Sequence, residues 1–406
     1  MEPTREHARV NADELKRQAC GEIDRIAERL LRVSHDIHAH PELNFEEYYA
    51  HRLLTETLSD AGLSPTREAY GLQTAFRADA GSAGSPTVAV LCEYDALPDI
   101  GHACGHNVIA AAGLGAGLAL ATVAAGAGGR VSIIGTPAEE GGGGKIALAE
   151  QGAFDDVDVA MMVHGADADL TEIEAIAIET LEVTYHGKAA HAAAAPQLGL
   201  NALDAAVLGY MGVAALRQHI LATERIHGVF TNGGGAPNIV PQEAASRWFV
   251  RSPTAASLAP LKARVLSALE SGASATGCTC THEWAPRPYS DLRTNGPLAA
   301  SYVANSATIG RRVEDPRRIG KLVVGSTDMG NISYLVPSIH PMIKVAPDGV
   351  AIHTQEFSRW AASPDGDRAV LDGAKAMAMT AIDYWMDATL RRSVTAAFHS
   401  DPRPPA

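Results

Sequence analysis

The chain has 406 residues, of which 46% are hydrophobic and 20% are charged, a composition ordinary for a soluble globular enzyme. At this length we expect two domains rather than a single core. The formal net charge of -14 and the absence of a basic stripe argue against nucleic acid or an anionic membrane as a partner.

The cysteine content and the start of the sequence indicate the compartment. Five cysteines stand at scattered positions, an odd number that suits a reducing cytoplasm better than a disulfide framework. The first thirty residues are polar and charged and lack the apolar core of a secretory signal. We therefore expect a cytoplasmic protein.

The chain begins with helical periodicity. Apolar residues recur at helical spacing over residues 12–39, and Pro41 then prevents the helix from continuing. The histidines at this helix end, His38 and His40, are of a kind that usually caps carbonyl groups or lies on the surface, and we leave them out of the site. The pattern next predicts a helix over 46–61 and strands over 72–78 and 87–92.

The stretch from Glu93 to Asn107 organises the rest of the chain. It lies between the apolar run Thr87–Cys92 and the uncharged Ala/Gly/Leu run 108–129, which predicts strand, loop and buried helix. The second run could span a bilayer by length, but it is only modestly apolar, and this favours a buried helix. Donor groups are dense in the loop, namely Asp95, Asp99, His102, Cys104 and His106. The Cys-Gly-His pairing suits zinc and similar metals, so the loop predicts a metal site.

A second predicted strand, 130–135, leads to the adjacent carboxylates Glu139 and Glu140, followed by four glycines. By itself this loop would be interpreted as flexible, with solvated acids. A phosphate-binding P-loop is excluded, because it needs glycine where Glu139 stands and Ser or Thr where Ile146 stands. The run from Gly113 to Leu118 also lacks the third glycine of a dinucleotide-binding fingerprint.

A third apolar run, 157–163, ends at His164. Three predicted strands thus deliver donor groups where they end. Because the carboxyl ends of parallel strands meet at one edge of a sheet, we expect these groups to converge on an active site.

The pattern of apolar and polar residues changes after residue 180. The pattern predicts strand 181–185, helix 202–220, strands 226–231 and 244–251, helix 255–271 and strand 278–284, in that order. This β-α-β-β-α-β order is the split βαβ arrangement, ferredoxin-like, and we expect it to form an inserted α+β domain over 181–296. On spacing alone, His191 in this insert fits a loop position as well as a functional one.

A pattern typical of an α/β domain then returns. It predicts a helix to about 309, strands over 321–325 and 342–345 and a closing helix over 365–390. We therefore expect residues 1–180 and 297–406 to form one catalytic α/β domain, with a mostly parallel mixed sheet and helices on both faces. His353 follows the last of these strands, and alone it would be interpreted as structural.

Several motifs recur in an order and spacing typical of one family. They are His40–Leu43, Asp95–Pro98, Cys104–His106, Pro137–Glu140, His164, Gly187–His191, Asn238 to Arg251, and His353. In these motifs the chain resembles the M20 metallopeptidase/amidohydrolase family over nearly its whole length. It is most similar to the aminoacylase-type branch, with auxin-conjugate hydrolases, aminobenzoyl-glutamate hydrolases and M20-domain-containing dipeptidases.

The resemblance implies two divalent metal ions per subunit, Zn²⁺ or Mn²⁺, with Co²⁺ also accepted by such ligands. Cys104 corresponds to a bridging thiolate, and Glu139 corresponds to the general base. The other implied ligands are His106 and His164 for one metal and Glu140 and His353 for the second.

The resemblance also implies that the insert is a lid that forms a homodimer. There His191 of the partner subunit would approach the scissile carbonyl, while Asn238 and Arg251 would hold the substrate carboxylate. Other branches carry a histidine ligand where this chain has Glu93, so His106 takes that place and Asp95 orients a ligand. Asn107 stands where an aspartate is common in this branch, which leaves the metal preference open.

The expected function follows from this resemblance. We expect hydrolysis of the amide bond of an N-acyl amino acid or a small dipeptide-like substrate with a free carboxylate, by a metal-activated water. A dipeptidase, and a catalytically inert metal-binding or regulatory relative, are the alternatives.

Overall fold

The computed structural model describes residues 11–321 and 324–400 of the chain. These residues separate into two compact units. One unit contains residues 11–174 and 292–400, and the other is Ala175–Asp291.

In the described residues the helices are α1 (Ala12–Arg25), α2 (Ala27–Ala39), α3 (Tyr48–Asp60), α4 (His106–Ala127), α5 (Gly144–Glu150), α6 (Ala202–Leu216), α7 (Ala255–Thr276), α8 (Gly296–Thr308), α9 (Pro316–Ile319), α10 (Met329–Ser333), α11 (Gln355–Ala361), α12 (Pro364–Met386) and α13 (Ala388–Ser400). The strands are β1 (Thr66–Arg67), β2 (Phe76–Gly81), β3 (Thr87–Glu93), β4 (Arg130–Thr136), β5 (Val159–Met161), β6 (His164–Ala166), β7 (Glu174–Ala175), β8 (Ala177–His186), β9 (Arg225–Asn232), β10 (Glu243–Ser252), β11 (Thr279–Trp284), β12 (Val324–Gly325), β13 (Ser338–Ile339) and β14 (Met342–Lys344). Of the strand predicted over 321–325, residues 322 and 323 lie outside the described part.

The larger unit is built on a six-stranded sheet in the order β1-β2-β4-β3-β5-β13. Strands β4, β3, β5 and β13 run parallel to one another, and β2 pairs antiparallel with both β4 and the edge strand β1. The predicted mixed α/β fold is confirmed. Because Glu93 pairs with Thr136 in register, the loops after β3 and β4 start level with each other.

Helices cover both faces of this sheet. Along β3, Val88, Val90 and Cys92 join the core formed with α1, α2, α4 and α12. The alternate residues Ala89 and Leu91 join a second core formed with α5 and α10. A strand buried on both faces has no polar alternation, which explains the continuous apolar run in the sequence.

Helix α4 lies close to the sheet because its small residues permit it. A Cβ atom at Gly113 would be 2.5 Å from the carbonyl oxygen of Leu91, and one at Gly117 would be 2.4 Å from Ile133. Among the described helices, α4 alone is long and apolar enough to cross a membrane, and 83% of its most apolar window is buried inside the protein. It is the core helix that the sequence predicted.

Two predicted helices are interrupted. The helix expected over 12–39 breaks at Ile26, where ψ is 7°, yet both halves direct their apolar residues into the same core. The apolar periodicity therefore continues across the break, and the sequence pattern does not reveal it. The closing helix ends at Met386, because Asp387 is extended and its side chain accepts the N–H groups of Thr389 and Leu390, which starts α13.

The third apolar run also differs from the prediction. Strand β5 ends at Met161, and His164 begins the separate strand β6, which pairs in parallel with β14. His164 thus lies in a strand rather than in the loop after one.

The smaller unit has a four-stranded antiparallel sheet in the order β11-β8-β10-β9, with α6 and α7 packed on one face. This is the strand order of a split βαβ unit. Helices α6 and α7 approach closely, since a Cβ atom at Gly272 would lie 2.1 Å from the carbonyl oxygen of Ala205.

Two glycines of α4 predict opposite effects of the same substitution. Gly113→Ala should lower the free energy of unfolding by about 1–3 kcal/mol, because the new methyl group meets the backbone of β3. Gly126→Ala should raise it by about 0.5–1 kcal/mol, since its nearest neighbour, Leu15 Cδ2, is 3.9 Å away. Urea unfolding measures both changes, and equal effects of the two substitutions would contradict the close contact of α4 with β3.

Candidate active site

The loop after β3 brings a thiol and an imidazole to the start of α4. Cys104 immediately precedes Gly105, whose φ of 79° lies in the left-handed region, and His106 is the first residue of the helix. A Cβ atom at Gly105 would lie 3.3 Å from the ring of Phe357, so both the turn and the packing favour glycine. The Cys104 and His106 side chains are buried together as a result.

Hydrogen bonds orient the imidazoles of His106 and His164 in the same way. His106 Nδ1 lies 2.8 Å from the carbonyl oxygen of Asp95 and 3.1 Å from its carboxylate. His164 Nδ1 donates to the carbonyl oxygen of Gly165 at 2.8 Å, and its Nε2 lies 3.4 Å from Cys104 Sγ. In each neutral ring Nδ1 carries the proton, so Nε2 offers the lone pair that a metal ligand needs.

The loop after β4 supplies two adjacent carboxylates through a left-handed turn. Ala138 has a φ of 57°, which is uncommon for a residue other than glycine. Its N–H donates to Glu47 Oε1 at 2.8 Å, and the N–H of Glu140 donates to Asp95 Oδ2 at 3.0 Å. These two bonds fix the backbone on both sides of Glu139.

The glycines after Glu140 make this loop compact. A Cβ atom at Gly144 would lie 1.7 Å from the carbonyl oxygen of Pro137, and one at Gly142 would lie 2.5 Å from the ring of Phe45. Glu139 is only 6% exposed. The glycine positions leave no room for a side chain, so the loop is tightly packed, and the carboxylate of Glu139 is buried. The interpretation of a flexible loop with solvated acids is therefore wrong.

His353 joins the cluster from a distant part of the chain. Its φ of 63° is left-handed, and its N–H donates to the carbonyl oxygen of Ala103 at 2.9 Å. Its Nε2 lies 3.5 Å from Glu140 Oε2, and half of its side chain is exposed. Strained residues of this kind concentrate at functional sites, so the strain favours a functional role over a structural one.

The structure brings these donors into two groups that share the sulfur of Cys104. The ligand atoms within each group all lie within 4.8 Å of one another. The groups are Cys104, His106 and His164, and Cys104, Glu140 and His353. Glu139 lies in an overlapping group with His106 and Glu140. Sulfur, imidazole nitrogen and carboxylate oxygen are the donors that zinc and related divalent metals accept.

Two buried atoms in this cluster lack hydrogen-bond partners among the described residues. His106 Nε2 and Glu140 Oε1 face each other at 3.7 Å, too far apart for a hydrogen bond. Buried polar atoms are rarely left unsatisfied, and divalent cations bound in the two groups would satisfy both. The residues present therefore fit a divalent-metal centre.

Burial and crowding alter the proton affinities of the cluster. Burial, followed by the charges of Glu93 and Glu140, raises the pKa of Glu139 well above its ordinary value. Burial, followed by the charge of Glu140, does the same to the pKa of Cys104. Burial opposes protonation of His106, but the carboxylate of Asp95 outweighs it and raises the pKa of that imidazole. Protons and cations thus compete for the same atoms.

Two other donors of the loop after β3 do not join the metal-type groups. Asp99 is exposed with a left-handed φ of 65°. His102 is buried, and burial, followed by the charge of His106, lowers its pKa to about 3. The excluded histidines behave as expected, since His38 donates to the carbonyl oxygen of Ser358 and His40 to that of Asp36, both at 2.8 Å.

The remaining predicted residues lie in the smaller unit. The carbonyl oxygen of Asn238 accepts the N–H of Ala192 at 3.0 Å, so Asn238 and His191 are neighbours. His191 is exposed, and its Nδ1 accepts the N–H groups of Ala193 and Ala194, which places the ring proton on Nε2. The half-buried Arg251 lies on β10.

Sequence reasoning missed four buried charged residues near these donors. Glu93, Lys145 and Asp328 are fully buried, and Lys145 Nζ contacts the carboxylates of the other two. Glu47 is also fully buried and supports Ala138. The sequence signal for these buried charges was a charged residue beside apolar ones. Glu93 ends the apolar run of β3, and Lys145 precedes an apolar turn of helix α5.

Comparison with known proteins matches this fold and donor set. The family model for peptidase family M20/M25/M40 matches residues 89–376. The chain is 41% identical over 397 residues to a Xaa-Arg dipeptidase of Mus musculus, covering 95% of this chain and 92% of that protein. It is 29% identical over 435 residues to a p-aminobenzoyl-glutamate hydrolase chain of Escherichia coli (strain K12), covering 89% and 90% of the two.

A solved structure agrees with the fold. The Bacillus subtilis YXEP protein, described as a dinuclear metal binding peptidase from the M20 family, superposes with a TM-score of 0.68 at 19% identity, covering 88% of this chain and 98% of that one. The fold and the relatives together define a metallo-hydrolase. The chain belongs to peptidase family M20/M25/M40, and the resemblance inferred from its motifs is confirmed.

Glu47 should be required for the turn that carries Glu139. Glu47→Ala leaves the buried Ala138 N–H without its acceptor, so the free energy of unfolding should fall by about 1–3 kcal/mol. A displaced turn should also lower kcat by about 10²-fold. Glu47→Gln keeps the Oε1 acceptor and can donate to the Thr74 hydroxyl, so it should retain activity. Full activity of Glu47→Ala would contradict this role.

The buried carboxylate of Glu47 also predicts that the free energy of unfolding depends on pH. Burial raises the pKa of Glu47 from 4.5 to about 7. A group whose pKa is raised on folding stabilises the protein fully below its unfolded pKa, and this contribution is lost as the pH rises through the folded pKa. Glu47→Gln does not titrate, so its stability relative to the wild type should increase between about pH 5 and about pH 8. Urea unfolding at both pH values measures the difference, and a constant difference would refute it.

Proposed function

We propose that this M20 hydrolase cleaves the amide bond of a small substrate with a free carboxylate, either an N-acyl amino acid or a dipeptide-like compound. One observation carries the proposal: two groups of metal-type donors share the Cys104 sulfur, and the buried carboxylate of Glu139 adjoins them. A pair of metals with an adjacent base is an arrangement suited to amide hydrolysis.

We further propose that two divalent metals, Zn²⁺ or Mn²⁺ with Co²⁺ as a substitute, bind each subunit. Cys104 would bridge them, with His106 and His164 completing one set of ligands and Glu140 and His353 the other. The dinuclear description of the Bacillus subtilis structure supports this assignment. When bound, such metals lower the pKa of a shared water and polarise the scissile carbonyl.

The chain's own residues would move the proton. Glu139 Oε2 lies 3.8 Å from His106 Nε2, at the edge of the donor cluster. From there Glu139 would take the proton of the attacking water and pass it to the departing nitrogen. Asp95 would hold His106 in orientation through its 3.1 Å contact with Nδ1.

The smaller unit, Ala175–Asp291, would act as the lid that the sequence predicts over residues 181–296. His191 of the partner subunit would donate its Nε2–H to the developing oxyanion, because Nδ1 of this residue already accepts two backbone N–H groups. Arg251 offers a bidentate partner for a carboxylate, with Asn238 assisting. This supports a substrate with a free α-carboxyl group.

A dipeptide is the second candidate substrate class. The relative in Mus musculus is named for Xaa-Arg dipeptides and aligns over 95% of this chain. The relative in Escherichia coli is named for an acylated glutamate. Both names describe amides of an amino acid, so the two classes share the carboxyl side of the scissile bond and differ in the acyl side.

The smaller unit also supports a homodimer. Strand β9 is the edge of its sheet, and Val229 (63% exposed) and Phe230 (43%) stand on it. Leu208 (45%) and Met211 (58%) are exposed on α6. An exposed apolar group beside an open strand edge favours association with a second copy.

We place the enzyme in the cytoplasm, with no nucleic-acid or membrane partner. The free state of all five cysteines and the net charge of -14 support this proposal.

A substrate panel tests the proposed function. Xaa-Arg and other dipeptides, N-acetyl amino acids and p-aminobenzoyl-glutamate should include at least one substrate, and its C-terminal amide should be cleaved poorly. A chelator should abolish turnover, and added Zn²⁺, Mn²⁺ or Co²⁺ should restore it. Turnover that is insensitive to chelation would contradict the proposal, as would equal cleavage of the amidated substrate.

In the same assay Glu139→Gln should retain both metals and lose about 10²–10⁴-fold in kcat, the usual contribution of a general base. Glu140→Gln is the matched variant at the next position and should lose metal instead. Metal analysis of both variants separates the two roles. Wild-type turnover by Glu139→Gln would show that another group is the base.

The dimer has its own test. Met211→Glu should convert a dimer to a monomer in sedimentation experiments, because it places charge on the apolar face of α6. Ile319→Glu, at a residue 45% exposed in the larger unit, is the control and should leave the dimer intact. A monomeric wild type would refute the proposal.

A further inference from the structure

Lys145 is a fully buried cation whose role the proposed chemistry does not explain. It lies in the first turn of α5, and its Nζ is 2.6 Å from Asp328 Oδ1 and in contact with the Glu93 carboxylate. Its backbone N–H donates to the other oxygen of Asp328 at 2.9 Å. Lysine is almost never fully buried unless it is paired, so the fold has built a specific place for this charge.

A third carboxylate belongs to the same cluster. The carboxylate oxygens of Glu93, Glu139 and Asp328 lie within 4.8 Å of one another. Three carboxylates this close repel strongly when all are ionised in a buried site, unless a cation offsets their charge. Burial opposes the charge on Lys145, but Asp328, Glu93 and Glu139 together raise its pKa far above the ordinary value. The ammonium group is therefore the resident cation of this carboxylate cluster.

The cluster ties together four separate segments of the chain. Glu93 ends β3, Glu139 follows β4, Lys145 begins α5, and Asp328 precedes α10. It also borders the metal-type donors, because His106 Nε2 lies 3.6 Å from Glu93 Oε2 and 3.8 Å from Glu139 Oε2. A change of charge at Lys145 would thus act directly where Glu139 meets the donor cluster.

We propose that Lys145, anchored by Asp328 and Glu93, is a positioning residue that holds the carboxylate of Glu139 in place beside Glu140. This proposal rests on the proposed role of Glu139 as the base. Without the ammonium, Glu139 would be repelled by two neighbouring carboxylates and would leave its place. The turnover number should then fall, while the metal ligands and the substrate contacts stay as they are.

The primary test is Lys145→Met, which keeps the length of the side chain and removes its charge. We expect retention of both metals, a loss of about 10²-fold in kcat and little change in KM. Lys16→Met is the matched control, since it removes the 2.6 Å ion pair of Lys16 with Asp383 in the same unit and should leave kcat unchanged. A Lys145→Met enzyme with wild-type kcat, or one that loses its metals, would overturn the proposal.

A second variant covers the case in which Lys145→Met does not fold. Lys145→Met with Asp328→Asn removes one charge of each sign, so one carboxylate fewer repels Glu139. It should fold, yet its kcat should stay below that of the wild type, because the ammonium that holds Glu139 is still absent. A merely structural role for Lys145 predicts wild-type kcat once stability is restored, so a folded double variant with wild-type kcat, or a comparable loss of kcat in the Lys16→Met control, would refute the positioning role.

Glu139→Gln distinguishes this proposal from the proposed function. If Lys145 acts through Glu139, adding Lys145→Met to Glu139→Gln should cause no further loss of kcat. Multiplied losses in the double variant would mean that Lys145 acts elsewhere, and would overturn the proposal. If Glu139→Gln itself is fully active, the base assignment fails first, and the positioning role fails with it.

Discussion

Repulsion among buried carboxylates is the constraint on which the rest of this site depends. Glu93, Asp95, Glu139 and Asp328 are all buried at the carboxyl end of the central sheet, with Glu140 beside them. Such a concentration of negative charge is stable only when cations or bound protons offset it. The chain supplies one cation itself, in Lys145, and its two donor groups around Cys104 fit divalent metals as the others. Charge balance thus links the fold of the sheet edge to the proposed chemistry.

Unusual backbone conformations hold the donors at this edge. Gly105, Ala138 and His353 all have left-handed φ values, and each lies at or next to a donor residue. Glu47 accepts the N–H of Ala138, and the carbonyl oxygen of Ala103 accepts that of His353. These hydrogen bonds balance the strain and hold the donors in their arrangement.

The sequence was informative where periodicity and local motifs carry the signal. Apolar runs located β3 and β4 to within a residue, because a strand buried on both faces shows no alternation. The ordered motifs identified the family, and they grouped Cys104, Glu140 and His353 from the sequence alone. The structure brings these three side chains within 4.8 Å of one another, while their roles as metal ligands stay predictions.

The rest depended on contacts that are distant in sequence. The break at Ile26 was invisible because the apolar stripe continues across it. The pairing of β6 with β14, which carries His164, joins residues far apart in the chain. Lys145 and Asp328 are separated by 183 positions, and only the folded chain shows that they share one buried ion pair. Burial of a charge is a property of packing, which a local pattern does not contain.

Anomalous X-ray scattering from crystals of the fully active, metal-loaded enzyme would show whether two metals share the Cys104 sulfur. Data collected at the absorption edge of the bound metal locate each ion independently of any assumption about its ligands. We expect two peaks, both about 2.3 Å from Cys104 Sγ if the metal is zinc. A fully active enzyme with no peak at Cys104, or with a single ion bound away from it, would contradict a metal pair at this site.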